Sequence, residues 1–168
     1  GKITITRKDM TRFMMTLKQA TELTLQAMQL AQGGEVFILK MPVVRLIDLA
    51  ESVIEEMSEH FHFHPSDIVM EEIGLRPGEK MYEELLTEEE AASALELDRM
   101  FILPNLFLKR NHDYAGAVPA QARSYNSANA LPIGKDEIKK MLRDHQLLSS
   151  IRETKLQNVS FNLLGVQY

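Results

Sequence analysis

Ile3-Thr4-Ile5-Thr6 alternates apolar and polar side chains, the period of a short half-buried strand. From Thr16 to Ala31 helix formers dominate, with Leu17, Ala20, Met28 and Ala31 among the apolar positions and Gly33-Gly34 as the stop. Glu35 to Leu39 is an apolar run of strand length. The best-defined helix comes next: Leu46, Leu49, Ala50, Val53, Ile54 and Met57 fall at the i, i+3, i+4, i+7 spacing of one buried stripe. A strand-like run from Ile68 to Ile73 leads into a loop, and a helix-like run from Lys80 to Leu86 follows. Thr87-Glu88-Glu89-Glu90 has the form of a capping box that starts another short helix. Met100 to Leu103 predicts a last strand before Pro104. Asn105 to Pro132 reads as loop, with Gly116, Pro119 and many small polar residues, and a final helix is predicted from Asp136 to Leu148. Ser149 to Tyr168 alternates apolar and polar without a clear period. Alternating strands and helices predict an α/β fold, a small sheet of short strands flanked by helices.

The loop Ile73-Gly74-Leu75-Arg76-Pro77-Gly78-Glu79-Lys80 carries the most specific chemistry. Glycine tolerates positive φ and proline presets a turn, so the segment reads as a rigid loop that presents Arg76, Glu79 and Lys80. A guanidinium held there suits a phosphate, because its planar fork donates to two oxygens at once. Glu79 is placed to accept hydrogen bonds from sugar hydroxyls. The competing reading pairs Arg76 with Glu71, Glu72, Glu83 or Glu84, and makes Lys80 a solvated residue. For Arg12, between Thr11 and Phe13, the residues alone suggest an exposed cation whose stem covers Phe13.

Composition narrows the classes. A chain of 168 residues, 45% hydrophobic and 26% charged, suits one globular domain with a modest core. A net charge of -5 and the lack of a basic run give no footprint for nucleic acid. There is no cysteine, hence no disulfide or thiolate metal site, which fits a cytoplasmic setting. No apolar run of transmembrane length and no signal peptide is present. The chain opens on Gly1-Lys2 rather than Met, as a processed or cut end does. His60-Phe61-His62-Phe63-His64 would line three imidazoles on one face of a strand, but without a fourth ligand it predicts no metal site. The glutamates around Glu83 to Glu90 read as a solvated face, and the ten methionines as core filler.

Gly74 to Lys80, followed by Glu83-Glu84-Leu85-Leu86, resembles the C-terminal part of UDP-N-acetylglucosamine 4,6-dehydratases and related polysaccharide-biosynthesis epimerases, which are extended short-chain dehydrogenase/reductases. Met10 to Thr16 resembles a second family segment, and Glu35 to Lys40 leading into Val44 to Ala50 a third. Ser124-Tyr125-Asn126-Ser127 is a weaker match, and nothing after Leu148 resembles the family. The resemblance implies that Arg76 contacts the pyrophosphate of a UDP-sugar, that Glu79 lies near the uridine ribose, and that Arg12 is a second pyrophosphate-contacting arginine. It implies a nucleotide-sugar enzyme of bacterial surface-polysaccharide biosynthesis, with NADP(H) in a Rossmann half and a membrane anchor upstream left open.

That half is not in this chain. No Gly-rich dinucleotide loop occurs, and the residues four after Tyr82, Tyr114 and Tyr125 are Leu86, Val118 and Asn129, so the Tyr-x-x-x-Lys pair is missing. The expectation is a detached substrate-binding lobe, residues 1–104, with a loop-and-helix extension, 105–148, and an unassigned tail, 149–168. It would hold no catalytic residue and no cofactor of its own, and would partner a UDP-sugar, the Rossmann half and possible further copies of itself. The alternative is a stand-alone UDP-sugar-binding or self-association module.

Overall fold

A computed structural model describes residues 1–105, 107 and 113–148. In chain order its elements are β1 (Lys2–Ile5), β2 (Thr11–Phe13), α1 (Leu17–Leu30), β3 (Val36–Leu39), β4 (Val43–Arg45), α2 (Leu46–Phe61), a 3-10 turn (Pro65–Asp67), β5 (Val69–Glu72), β6 (Glu84–Leu86), α3 (Glu88–Ala91), β7 (Leu95–Glu96), β8 (Met100–Leu103), β9 (Val118–Pro119), β10 (Tyr125–Asn126) and α4 (Lys135–Asp144). The predicted class holds: short-strand sheets accompany four α-helices among the described residues.

The chain divides into two units, each assembled from separated stretches. The first takes Gly1–Arg12, Val43–Tyr82 and the described residues from Leu131 onward; the second takes Phe13–Pro42 and Glu83–Ala130. Helix α4 packs on α2 and so falls in the same unit as the earlier residues. The tail 149–168 lies outside the described residues.

In the first unit β1 and β5 run parallel, with Ile3 opposite Met70 and Ile5 opposite Glu72. The alternation predicted for β1 turns Ile3 and Ile5 toward a core of Met10, Leu46 and Ala50, with Ile47, Met70 and Met81 against it. β4 is bonded to β2, whose first two residues belong to this unit. Helix α2 departs from the predicted stripe. Leu46, Ala50 and Met57 are buried as expected, whereas Leu49, Val53 and Ile54 are only partly so, and Asp48, Ser52 and Glu56 are buried instead. The polar row is satisfied: Ser52 Oγ donates to the Asp48 carbonyl, Arg45 pairs with Asp48, and Arg143 of α4 forks onto Glu56 at 2.5 and 2.8 Å. Lys135 bridges Glu51 and Glu55, and Lys139 also meets Glu55. The α2–α4 contact therefore joins a charge ladder to the buried Ile138, Met141 and Leu142.

The second unit holds the antiparallel sheet β3-β8-β7-β9 and the pair β10-β6. Thr16 caps α1 through a capping box with Gln19, and Thr87 caps α3 through one with Glu90, as its sequence predicts. The predicted helix from Lys80 to Leu86 does not form: β6 occupies Glu84–Leu86, opposite Tyr125 and Asn126. Its first carbonyls are drawn to distant donors, Lys80 O to Arg12 and Met81 O to the Thr11 amide, which competes with acceptance from residues four positions on. Leu86 joins a core of Ala91, Ala94 and Phe101. Tyr125 lies against Phe13 and Phe101, and its hydroxyl both accepts from the Met41 amide at 2.8 Å and donates to the Met41 carbonyl at 3.0 Å.

Two outcomes follow. Tyr125→Phe strands the Met41 backbone groups and costs about 1–3 kcal/mol in chemical denaturation. The second concerns pH. Hydrogen bonds from Lys139 and then Lys135 hold the Glu55 carboxyl below its ordinary value, so its stabilisation is present above the unfolded carboxylate range and is lost as pH falls through the folded value. Glu55→Gln therefore lowers Tm at neutral pH, by the equivalent of about 0.2–1 kcal/mol per exposed pair, and the difference from the unsubstituted chain closes below about pH 4.

Candidate functional site

The arginine loop lies within the first unit and is fastened along its N-terminal strand. The Ile73 amide donates to Ile5 O at 2.9 Å and the Gly74 amide to Thr6 O at 3.0 Å, which carries the β1–β5 pairing into the loop. Gly74 and Gly78 both have φ of +82°, a conformation that a side chain would strain. Arg76 and Glu79 close a tight turn: the Glu79 amide donates to Arg76 O at 3.0 Å, and Glu79 Oε2 accepts from the Arg76 amide at 3.2 Å. Glu79 Oε1 accepts from Thr6 Oγ1 at 3.3 Å and lies 3.7 Å from an Arg12 nitrogen.

The three predicted site residues are thus brought onto one stretch of the first unit, with different commitments. Arg12 turns its fork onto backbone carbonyls: one terminal nitrogen reaches Thr11 O and Met81 O at 2.8 and 3.3 Å, and the other reaches Lys80 O at 2.8 Å. Arg76 is partly buried, and among the described residues its guanidinium has no hydrogen-bond or ion-pair partner. Two of the four acids that were to neutralise it are taken elsewhere: Glu71 pairs with Lys2, and Glu72 pairs with Arg7 and accepts from the Lys8 amide. The loop thus offers an unspent guanidinium on an anchored backbone, suited to an anion that accepts two parallel N–H bonds.

Other singled-out residues serve local structure. Lys80 is exposed and gives its carbonyl to Arg12. In the second unit Ser127 Oγ accepts from the Glu83 amide at 2.9 Å, and Asn126 Nδ2 donates to Ser124 Oγ. His60 stacks edge-on against Phe61, His62 ends α2 with φ of 56°, and His64 Nδ1 accepts from the Ser66 amide at the 3-10 turn. The sequence reading passed over Thr6. It is only 1% exposed, yet it binds both the start of the loop and Glu79. Its alternation with Ile5 marks it as a polar strand-end residue and carries no sign of that double role.

Residues 1–105 match the family model described as polysaccharide biosynthesis protein. Three relatives illustrate the range. An uncharacterized membrane protein of Methanocaldococcus jannaschii is 44% identical over 147 residues, covering 86% of this chain and 41% of that protein. The capsular polysaccharide biosynthesis protein CapD of Staphylococcus aureus is 47% identical over 91 residues, 54% of this chain and 14% of CapD. A UDP-glucose 4-epimerase of Rickettsia felis is 32% identical over 146 residues, 83% of this chain and 40% of the epimerase. Among solved structures, that of Pen from Bacillus thuringiensis superposes with a TM-score of 0.76 at 49% identity, over 88% of this chain and 42% of Pen. The chain therefore spans between 14% and 41% of the length of these curated relatives. No described helix is long and apolar enough to cross a membrane. With the loop, its anchoring strand and α2 all inside the matched residues, the chain belongs to the polysaccharide biosynthesis family of extended short-chain dehydrogenase/reductases.

Proposed function

We propose that this chain is the detached substrate-binding part of a nucleotide-sugar 4,6-dehydratase or epimerase of surface-polysaccharide biosynthesis, and that it holds the diphosphate and ribose of UDP-N-acetylglucosamine. The observation that carries the reading is the Arg76 guanidinium, unpaired among the described residues, on a loop whose preceding acids Glu71 and Glu72 are engaged with other cations. Arg76 grips the diphosphate bidentately. Arg12, bonded to the carbonyls beneath, adds a second positive charge to the same anion. Glu79 uses one oxygen for Thr6 and one for the Arg76 amide, so lone pairs remain for a ribose hydroxyl. No Gly-rich cradle for a dinucleotide exists in this sequence, so its residues do not fit NADP(H), which this reading assigns to the Rossmann remainder of a cytoplasmic parent.

A second reading, self-association, is favoured by one feature of α1. Leu17 is 84% and Met28 68% exposed, and Leu25 projects within the same arc. A second copy or the remainder of the parent would cover this row. Size-exclusion chromatography over a dilution series distinguishes them: a concentration-dependent dimer supports the module reading, and a monomer throughout removes it.

Calorimetric titration tests the main reading. Half a cleft should bind UDP with a Kd on the order of millimolar, about 4 kcal/mol, and give no heat with NADP⁺. Arg76→Ala abolishes the UDP heat. Unchanged UDP binding in Arg76→Ala overturns the assignment.

A further inference from the structure

Thr6 touches both ends of the arginine loop. Its carbonyl accepts the Gly74 amide at 3.0 Å, where the loop begins, and its hydroxyl donates to Glu79 Oε1 at 3.3 Å, where the loop ends. At 1% exposure it is out of reach of any ligand. Whatever it does for the site it does through Glu79. That carboxylate passes the constraint on, because its other oxygen accepts from the Arg76 amide while the Glu79 amide holds Arg76 O. Arg76 is therefore pinned at both of its backbone polar groups by a residue that Thr6 orients, and only its own side-chain torsions remain open.

We propose that Thr6 is a positioning residue for anion binding: through Glu79 it fixes the backbone of Arg76, so that the free guanidinium meets an incoming phosphate with little ordering left to do. This rests on the diphosphate reading of Arg76 given above. Glu79 is at once an acceptor toward the ligand and the link that transmits the constraint, and Arg12 steadies the far side of the loop from the Lys80 and Met81 carbonyls. The simpler account, in which the Thr6 hydroxyl only satisfies itself in a buried place, predicts no effect at Arg76.

Amide hydrogen exchange and UDP titration on the same 168-residue chain separate the two accounts. Thr6→Val keeps the shape and removes the donor. It should speed exchange at the Arg76 amide about tenfold and weaken UDP several-fold, with exchange at the buried Ile138 amide unchanged. Thr6→Ser restores the hydroxyl and should restore both readouts. In a Glu79→Gln background Thr6→Val should change the Arg76 amide much less, because the link is already altered. Arg76 exchange and UDP affinity that both stay at their original values in Thr6→Val overturn the proposal. If instead Arg76→Ala leaves UDP binding intact, it is the diphosphate reading that fails, and the exchange result still decides whether Thr6 holds the loop.

Discussion

Glu79 sits where three demands meet: it closes the turn on Arg76, receives the Thr6 hydroxyl and faces the Arg12 guanidinium. A carboxylate shared in this way resists rearrangement, since losing any one donor leaves a partly buried charge less satisfied. The local charge balance depends on it as well. Lys2 with Glu71, Arg7 with Glu72 and Arg12 with Glu79 pair cation with anion around the β1–β5 pair, and among the described residues Arg76 is an arginine there without an acid of its own. Its availability is thus a property of the whole neighbourhood. An arginine in an acidic chain would ordinarily find a neighbouring acid.

The same commitments shape the path of the backbone after the loop. With Lys80 O and Met81 O accepting from Arg12 and Thr11, the first two carbonyls of a helix are drawn to other donors, and the chain leads instead into β6. Leu86 is then drawn into the core beside Phe101. Within the first unit, α4 closes back on α2 through a ladder of charges. Glu56, at 5% exposure, is tolerable only because Arg143 meets it with a forked pair, as a lone buried carboxylate would not be.

What the sequence made legible was local and periodic. The strand Met100 to Leu103, the Thr87 cap, the helix following Thr16 and the isoleucine face of β1 all depend on neighbours within a few positions and all form, although the strand is not the last, since β9 and β10 follow within the stretch read as loop. The loop was legible too, because glycine and proline at fixed spacing specify a backbone before any partner is known. The misreadings required distant partners. Lys80 to Leu86 has helical composition, but hydrogen bonds from residues about 70 positions earlier override it. The α2 stripe was displaced by polar residues that only α4 makes affordable. Thr6 carried no local sign, because its significance lies in two hydrogen bonds to a segment 68 and 73 residues away.

On the diphosphate reading, an anchored loop also explains why a binding surface with no catalytic groups of its own matters to chemistry done elsewhere. Interaction at a remote phosphate accelerates a reaction only if it is converted into orientation of the reacting ring, and a loop that moved with its ligand would dissipate that constraint. Two glycines at positive φ would by themselves leave the loop more freedom than most segments have. The bonds from Ile5, Thr6 and Arg12 remove that freedom on the protein side before any ligand arrives. The flexible residues provide the shape of the turn, and the distant hydrogen bonds provide its rigidity. The free guanidinium is useful because both are present together.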